Sequence, residues 1–254
     1  MHWALILGSS SGFGASTAID LAKKGFNIYG VHLDRKSTMP LVEEVISKIK
    51  AEGVDVVFQN MSATDTDKRN TIINDMIDKK MQFKVMMHSI AFGALKPIID
   101  DENAINQKQI EMTLDVMASS IVYWTQDLFT NKLFVKGSHV FAMTSAGGHL
   151  QWKSYGAVSA AKAALESYCR QIAFELSEHN ISCNAIQAGV TDTPALRKIP
   201  GNEEMIKNAT KNNPGKRLTL PSDVASVITM IGQSNDTWMT GNTIRVDGGE
   251  DLTG

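Results

Sequence analysis

Short apolar runs alternate with longer amphipathic segments along most of the chain. Seven runs are predicted as strands, at residues 3–7, 27–33, 54–59, 85–88, 139–143, 182–187 and 243–246. Six segments repeat apolar residues at helical spacing, at 14–24, 39–51, 67–79, 107–130, 154–177 and 221–233. This alternation predicts an α/β fold: a single doubly wound Rossmann-type domain, whose seven-stranded parallel sheet carries helices on both faces.

No internal repeat, low-complexity tract or linker interrupts the pattern, so we expect one domain over residues 1–254. Segment 192–215 differs, because prolines and glycines divide it into short helical pieces. A long insertion after a late strand of an open α/β sheet lies at the carboxyl edge, where ligands bind. We therefore predict a substrate lid here; the alternative is a surface loop without a functional role.

The composition narrows the class of function. The 254 residues are 43% hydrophobic and 20% charged, as in ordinary globular proteins. A net charge of −2 leaves no basic excess for nucleic acid or for an anionic membrane surface, so neither is an expected partner. The two cysteines, Cys169 and Cys183, indicate neither a disulfide framework nor a zinc site. We predict a cytoplasmic protein without a bound metal.

A glycine-rich turn follows the first strand and opens the first helix. It contains Gly8, Gly12 and Gly14, together with Ser10 and Phe13. Glycines allow the backbone to approach a pyrophosphate closely, and the helix N-terminus supplies amide donors and a favourable dipole. A glycine cluster can also be a plain strand-to-helix turn, but its place in a strand–turn–helix unit favours a dinucleotide site.

The spacing of these glycines, with three residues and then one between them, resembles the short-chain dehydrogenase/reductase family. Three later segments resemble motifs of that family in the same order: Asn60-Met61, the run from Asn184 to Thr193, and the run from Thr240 to Gly249. The resemblance covers nearly the whole chain and implies a nicotinamide-dependent oxidoreductase. It places Asn60 and Met61 around the adenine, and it places six residues on the nicotinamide side: Ser89, Ile90, Ala91, Gly189, Thr191 and Thr193.

Tyr155 precedes Lys162 by seven positions, or two helical turns, so both side chains can lie on one face. Most members of the family carry the tyrosine four residues before the lysine, but this chain has Val158 at that position. The wider spacing, the run from His88 to Phe92 and the pair Ala188-Gly189 resemble the enoyl-acyl-carrier-protein reductase branch. The resemblance implies that Tyr155 donates a hydrogen bond to the enolate oxygen and that Lys162 holds the nicotinamide ribose.

Ser145 stands ten residues before Tyr155, where the best-known bacterial enoyl reductases carry a second tyrosine. A minority type carries serine there, and its hydroxyl could contact the substrate carbonyl or orient Tyr155. Tyr155, Lys162 and Ser145 are therefore the catalytic candidates. Asp115 lies near the position of an asparagine that helps to relay protons in ketoreductases. The alternative is a structural role, in which its carboxylate only anchors the backbone. We expect His88 to fix a turn rather than to act as a base.

Residues 32–36, His-Leu-Asp-Arg-Lys, give mixed signals about the nucleotide. An acid would accept both ribose hydroxyls of NAD, whereas Arg35 and Lys36 would bind the 2′-phosphate of NADP. Counting from Gly25 places His32 at the position where NAD enzymes carry their acid, and it leaves Arg35 and Lys36 near the position of the 2′-phosphate. This alignment slightly favours NADPH over NADH as the cofactor.

We expect reduction of the C2–C3 double bond of an enoyl thioester, carried on acyl carrier protein in fatty-acid synthesis. The alternatives are a 3-ketoacyl-thioester or other carbonyl reductase, which shares the fold, and a non-catalytic NADP-sensing protein. Retention of Tyr155 and Lys162 argues against the last. Segments 107–130 and 157–177 carry apolar or small residues on more than one face, which predicts a homotetramer with a second interface at the C-terminal strand.

Overall fold

The computed structural model describes residues 2–252 and contains one seven-stranded sheet. All neighbouring strands run parallel, in the order β3-β2-β1-β4-β5-β6-β7. The order changes direction between β1 and β4, so the predicted doubly wound topology is confirmed. The strands are β1 Trp3–Leu7, β2 Asn27–His32, β3 Val56–Asn60, β4 Phe83–His88, β5 Phe134–Ser145, β6 Ile181–Ala188 and β7 Thr243–Val246.

Helices cover both faces of this sheet. They are α1 Gly12–Lys23, α2 Met39–Lys50, α3 Thr66–Asp78, α4 Gln107–Leu114, α5 Ser120–Thr130, α6 Gly156–Leu176, α7 Asn202–Asn212 and α8 Pro221–Gln233. Ala4 and Ile6 of β1 point into the core beneath α1, α2 and α8, whereas Leu5 and Leu7 point into the core beneath α3, α5 and α6. Both faces of the sheet are therefore buried, which explains why the strands are continuous apolar runs.

The structure departs from the predicted helices in two places. The segment predicted as one helix over 107–130 is interrupted by a π-helical turn at Asp115–Ser119. Ser120 Oγ, at the start of α5, donates to the carbonyl of Val116 in the π turn at 2.8 Å. The second departure lies in the predicted lid, where α7 has eleven residues and is longer than the short pieces expected. Apolar periodicity does not reveal the π turn, because such a turn adds a residue without changing the apolar character of the segment.

Four central strands, β1, β4, β5 and β6, end at the same edge of the sheet because they are parallel. The residues that follow them, beginning at Gly8, Ser89, Ala146 and Gly189, therefore meet at this edge. Within residues 2–252, no helix is both long enough and apolar enough to cross a membrane.

Candidate active site

A cavity of about 990 Å³ opens at the carboxyl edge of the sheet. The three catalytic candidates, Ser145, Tyr155 and Lys162, all line it. Such a crevice at the switch point of a doubly wound sheet is the usual place for a ligand. The wall also includes residues predicted for the nicotinamide side: Ser89, Ile90, Ala91, Gly189, Thr191 and Thr193.

The turn after β1 requires glycine at two positions. Gly8 has a φ of +90°, and a Cβ there would lie 2.2 Å from the carbonyl oxygen of Ser89. A Cβ on Gly14 would lie 2.1 Å from the carbonyl oxygen of Gly8. Gly12 begins α1 and faces the methyl group of Thr193. The turn therefore presents bare backbone and the N-terminus of a twelve-residue helix, which fits a pyrophosphate.

Asp34 is the acid in the turn after β2. Its carboxylate accepts a hydrogen bond from Thr38 Oγ1 at 2.9 Å and contacts His32 Nδ1 at 2.9 Å. Partial burial alone would raise the pKa of Asp34, but hydrogen bonds from Ser10, Thr38 and His32 outweigh it and hold the pKa below the usual value. The charged carboxylate thus lies beside Ser10 of the glycine turn.

Counting from Gly25 places His32 at the acid position, and the structure adds Asp34 as a second candidate for the nucleotide-binding acid. His32 is the last residue of β2 and is buried, with its ring 5.8 Å from that of Phe58. The carboxylate beside the glycine turn belongs to Asp34, two residues later. Arg35 and Lys36 are exposed, and neither forms an ion pair within residues 2–252.

Asn60 and Met61, which the resemblance places around the adenine, lie at the end of β3 and directly after it. The Asp34 backbone N–H donates to Asn60 Oδ1 at 3.0 Å, and Asn60 Nδ2 donates to the Asp34 carbonyl at 2.9 Å. Met61 is 3% exposed and packs in the core beneath α3 and α5. Asn60 therefore shapes the turn that carries the acid.

Tyr155 lies immediately before the first residue of α6. Its side chain is largely buried and packs edge-on against Trp152, with ring centroids 5.8 Å apart. Burial raises the pKa of Tyr155, and the nearby Ser145 hydroxyl opposes this rise. The phenol is therefore neutral at pH 7 and can donate a hydrogen bond.

Ser145 is the last residue of β5, and its Oγ is buried beside the tyrosine. The contact between the two hydroxyls affects the pKa of Tyr155 but falls short of hydrogen-bond geometry, and Oγ bonds to no other residue within 2–252. A Cβ on Gly147 would lie 2.6 Å from the Tyr155 ring and 3.1 Å from Ser145 Oγ. The bare backbone of Gly147 therefore allows the Tyr155 ring and the Ser145 hydroxyl to pack closely together, and it leaves a buried hydroxyl without a hydrogen-bond partner within residues 2–252.

Lys162 lies two turns into α6 and is 6% exposed. Its Nζ donates a hydrogen bond to the carbonyl oxygen of Met143 on β5, at 2.6 Å. Burial lowers the pKa of Lys162 to about 8, while Glu166 and Cys169 act in the opposite direction. At pH 7 the side chain is predominantly an ammonium, which favours negative charge developing in the cavity.

His88 and Asp115 lie outside this cavity wall. His88 Nε2 bonds to Ser120 Oγ at 2.8 Å, and burial followed by the charge of Lys162 lowers the pKa of His88 to about 3. So weak a base agrees with the expected structural role. Asp115 accepts a hydrogen bond from the Tyr123 hydroxyl at 2.8 Å, within the face formed by the π turn and α5.

Sequence reasoning missed a wall that the C-terminal segment contributes. Glu250 and Asp251 both line the cavity. The Val190 backbone N–H donates to the two carboxylate oxygens of Glu250 at 3.1 and 3.2 Å. Asp251 contacts His149 at 3.1 Å and Arg245 at 2.9 Å. The signal that could have indicated this wall is the position of both acids directly after the glycine pair of the C-terminal motif.

The chain's own residues fit a nicotinamide dinucleotide. The glycine turn excludes side chains where a pyrophosphate would approach, and Asp34 offers acceptors for ribose hydroxyls. At the other end, Gly189 lies in the cavity wall, and a Cβ there would lie 2.5 Å from Thr219 Oγ1, so glycine allows this segment to pack closely against Thr219. The Lys162 ammonium, a hydrogen-bond donor, lines the same cavity. Within residues 2–252, no group of three His, Cys, Asp or Glu residues could hold a metal ion.

Known proteins share this sequence pattern and this fold. Residues 8–250 match the family described as Enoyl-(Acyl carrier protein) reductase. The 2-dehydro-3-deoxy-D-gluconate 5-dehydrogenase of Dickeya dadantii is 25% identical over 254 residues, spanning 97% of this chain and 94% of that protein. A diacetyl reductase, (S)-acetoin forming, of Staphylococcus epidermidis is 24% identical over 259 residues, spanning 97% of each.

One solved structure with the same fold is an enoyl-[acyl-carrier-protein] reductase (NADH) from Aquifex aeolicus. It superposes with a TM-score of 0.87 at 22% identity, covering 100% of this chain and 97% of that one. At this identity the likeness establishes the fold and leaves the reaction to be argued from the site.

Proposed function

The chain belongs to the family described as enoyl-(acyl carrier protein) reductase, within the short-chain dehydrogenase/reductase oxidoreductases, and on this basis we propose that it reduces the C2–C3 double bond of an enoyl thioester. The observation that carries the proposal is the position of Tyr155. Its neutral phenol lies at the start of α6, seven residues before Lys162, and faces a cavity beside Ser145.

A reduced nicotinamide nucleotide supplies a hydride when it is bound. As C3 of an enoyl thioester accepts a hydride, negative charge develops on the thioester oxygen, and a donor aimed at that oxygen lowers the barrier. A proton from solvent at C2 then converts the enolate to the saturated thioester. Tyr155 is the first such donor, and Ser145 Oγ, which has no hydrogen-bond partner within residues 2–252, is the second. The Lys162 ammonium favours the same developing charge electrostatically and would hold the nicotinamide ribose.

The remainder of the cavity suits an acyl chain. Its wall beyond Tyr155 is largely apolar and is formed by the segment after β4, the segment before α6 and the region around α7. We propose that segment 192–215 is the substrate lid, because Met205 and Ala209 of α7 line the cavity. The apolar lining comprises Phe92, Leu95, Met117, Leu150, Trp152, Leu196, Ile199, Met205 and Ala209.

For the nucleotide, we propose NADH ahead of NADPH, which reverses the order suggested by the sequence. The Asp34 carboxylate is charged and fixed beside the glycine turn, where it would accept ribose hydroxyls and repel a 2′-phosphate. Arg35 and Lys36 are exposed, so their charges are screened by solvent.

Carbonyl reduction is the second candidate. The juxtaposition of Ser145 and Tyr155 favours it, since two hydroxyls could share a ketone oxygen. The two sequence relatives described above are also named for reactions of hydroxyl or keto groups. A non-catalytic sensing protein has less support, because Ser145, Tyr155 and Lys162 meet in one cavity.

The two candidates are separated by initial rates of nucleotide oxidation. Crotonyl and acetoacetyl thioesters, each on acyl carrier protein and on coenzyme A, would be compared with NADH and NADPH. We expect crotonyl thioester with NADH to give the highest rate. A higher rate with acetoacetyl thioester would replace the enoyl proposal with the ketone one.

We also propose a homotetramer. Phe174 is 80% exposed on α6, and Trp238 is 93% exposed on the segment leading to β7, whose outer edge is unpaired within residues 2–252. Large apolar side chains so exposed favour burial against another copy. Sedimentation should show a tetramer at micromolar concentration, and a monomer would contradict the proposal.

A further inference from the structure

Glu166 lies one helical turn after Lys162 on α6 and is partly buried. Its Oε1 accepts a hydrogen bond from Thr144 Oγ1 on β5 at 2.6 Å, a length typical of a bond to a charged acceptor. The carboxylate also packs against Gly148: a Cβ there would lie 2.8 Å from Glu166 Oε1 and 3.6 Å from Lys162 Cβ. The acid and the lysine therefore flank the same point of the backbone.

We propose that Glu166, held by Thr144, is a positioning residue that keeps Lys162 in its charged form inside the cavity wall. Its importance for turnover rests on the proposed function, whereas its effect on the charge of Lys162 does not. Thr144 lines the cavity beside Ser145, whereas Glu166 lies outside the cavity wall and reaches it through its bond to Thr144.

The surroundings of Lys162 explain why such a residue is needed. Burial is the largest influence on the lysine and favours its neutral form. On β5, Lys162 contacts the uncharged backbone carbonyl of Met143. On β4 it faces His88, which is neutral because its pKa is about 3. At the start of α6, Tyr155 is also neutral because burial raises its pKa.

The other group that raises the pKa of Lys162 is the thiol of Cys169. Cys169 of α6 lies near the lysine and contacts Cys183 of β6, whose pKa burial raises well above the usual value. Among the charged groups that the structure places around Lys162 within residues 2–252, Glu166 is thus the carboxylate that opposes burial. The Thr144 hydroxyl fixes this carboxylate, since its hydrogen bond joins β5 to α6.

The direct test measures the pKa of Lys162 in the protein without nucleotide or substrate. Protein labelled with [13Cε]lysine would be titrated by NMR, and the Lys162 signal assigned by its loss in Lys162→Met. We expect Glu166→Gln to lower this pKa by about 1 unit, because it removes the negative charge and keeps the shape. Thr144→Val should give a smaller decrease, because the carboxylate stays but is no longer fixed.

Glu175→Gln is the matched control. Glu175 lies on the same helix, is exposed and accepts a side-chain hydrogen bond from Gln171. The substitution therefore removes one negative charge from α6 at a position farther from Lys162. The Lys162 pKa should be unchanged in this variant. An equal decrease in Glu175→Gln would mean that only net charge matters and would overturn the proposal.

A second variant pair guards against a folding failure. If Glu166→Gln does not fold, Glu166→Asp and Thr144→Val carry the test, and both should lower the Lys162 pKa. An unchanged Lys162 pKa in the folded variants overturns the proposal. Since no substrate is present, a protein that fails to reduce enoyl thioesters would leave this result intact, and the two failures are distinguishable.

Discussion

Asn60 binds the main chain of Asp34 at two points, accepting from its N–H at 3.0 Å and donating to its carbonyl at 2.9 Å. The amide thereby ties the end of β3 to the turn after β2. Together with Thr38 and His32, which contact the Asp34 carboxylate, it fixes the acid beside the glycine turn. The proposed preference for NADH therefore rests on this network of contacts around Asp34 rather than on one side chain.

Asp34→Asn should reduce the preference for NADH over NADPH by about tenfold to a hundredfold. The change removes the charge that repels a 2′-phosphate and weakens two charge-assisted bonds to ribose hydroxyls. The measurement is the ratio of dissociation constants for the two nucleotides. Glu44→Gln, an exposed acid on α2, should leave the ratio unchanged. An unaltered ratio in Asp34→Asn would show that the acid does not contact the ribose.

Asn60→Ala should weaken NADH binding by about fivefold, because the turn that carries Asp34 loses two hydrogen bonds. The effect should be smaller for NADPH. A double-mutant cycle with Asp34→Asn checks the linkage, and we expect the two substitutions to be non-additive for the NADH/NADPH ratio. Full additivity would indicate that Asn60 contacts the nucleotide independently of Asp34.

Tyr155→Phe should lower kcat by about 100-fold or more, because the substrate oxygen loses its principal donor. Nucleotide affinity should persist, since the glycine turn and Asp34 are untouched. Tyr168→Phe on the outer side of α6 is the matched control, as this ring is 37% exposed and outside the cavity wall. Turnover near the wild-type level in Tyr155→Phe would remove this residue from the mechanism.

Much of the fold and part of the site were predictable because the signals are local. Strand β1, the glycine turn and α1 are contiguous, and the Tyr155–Lys162 step lies within eight residues at the start of one helix. The position of Asp34 was harder to predict, because a shift of two residues in the end of β2 changes which side chain reaches the glycine turn.

Contacts between distant segments were not predictable from the pattern. Thr144 reaches Glu166 across 22 residues, and Glu250 reaches Val190 across 60. Both contacts depend on how β5, β6 and the C-terminal segment are set against α6. The apolar pattern specifies that these elements are buried but not which polar groups meet at their ends.

The most direct measurement is a competition between two substrates in one reaction. Equimolar crotonyl and acetoacetyl thioesters on acyl carrier protein would be incubated with limiting NADH, and the products quantified by mass spectrometry. Their ratio reports the ratio of kcat/KM values. We predict that butyryl thioester exceeds 3-hydroxybutyryl thioester by about tenfold or more, since Tyr155 would stabilise an enolate oxygen. An excess of 3-hydroxybutyryl thioester, abolished in Tyr155→Phe, would show that the same cavity reduces ketones instead.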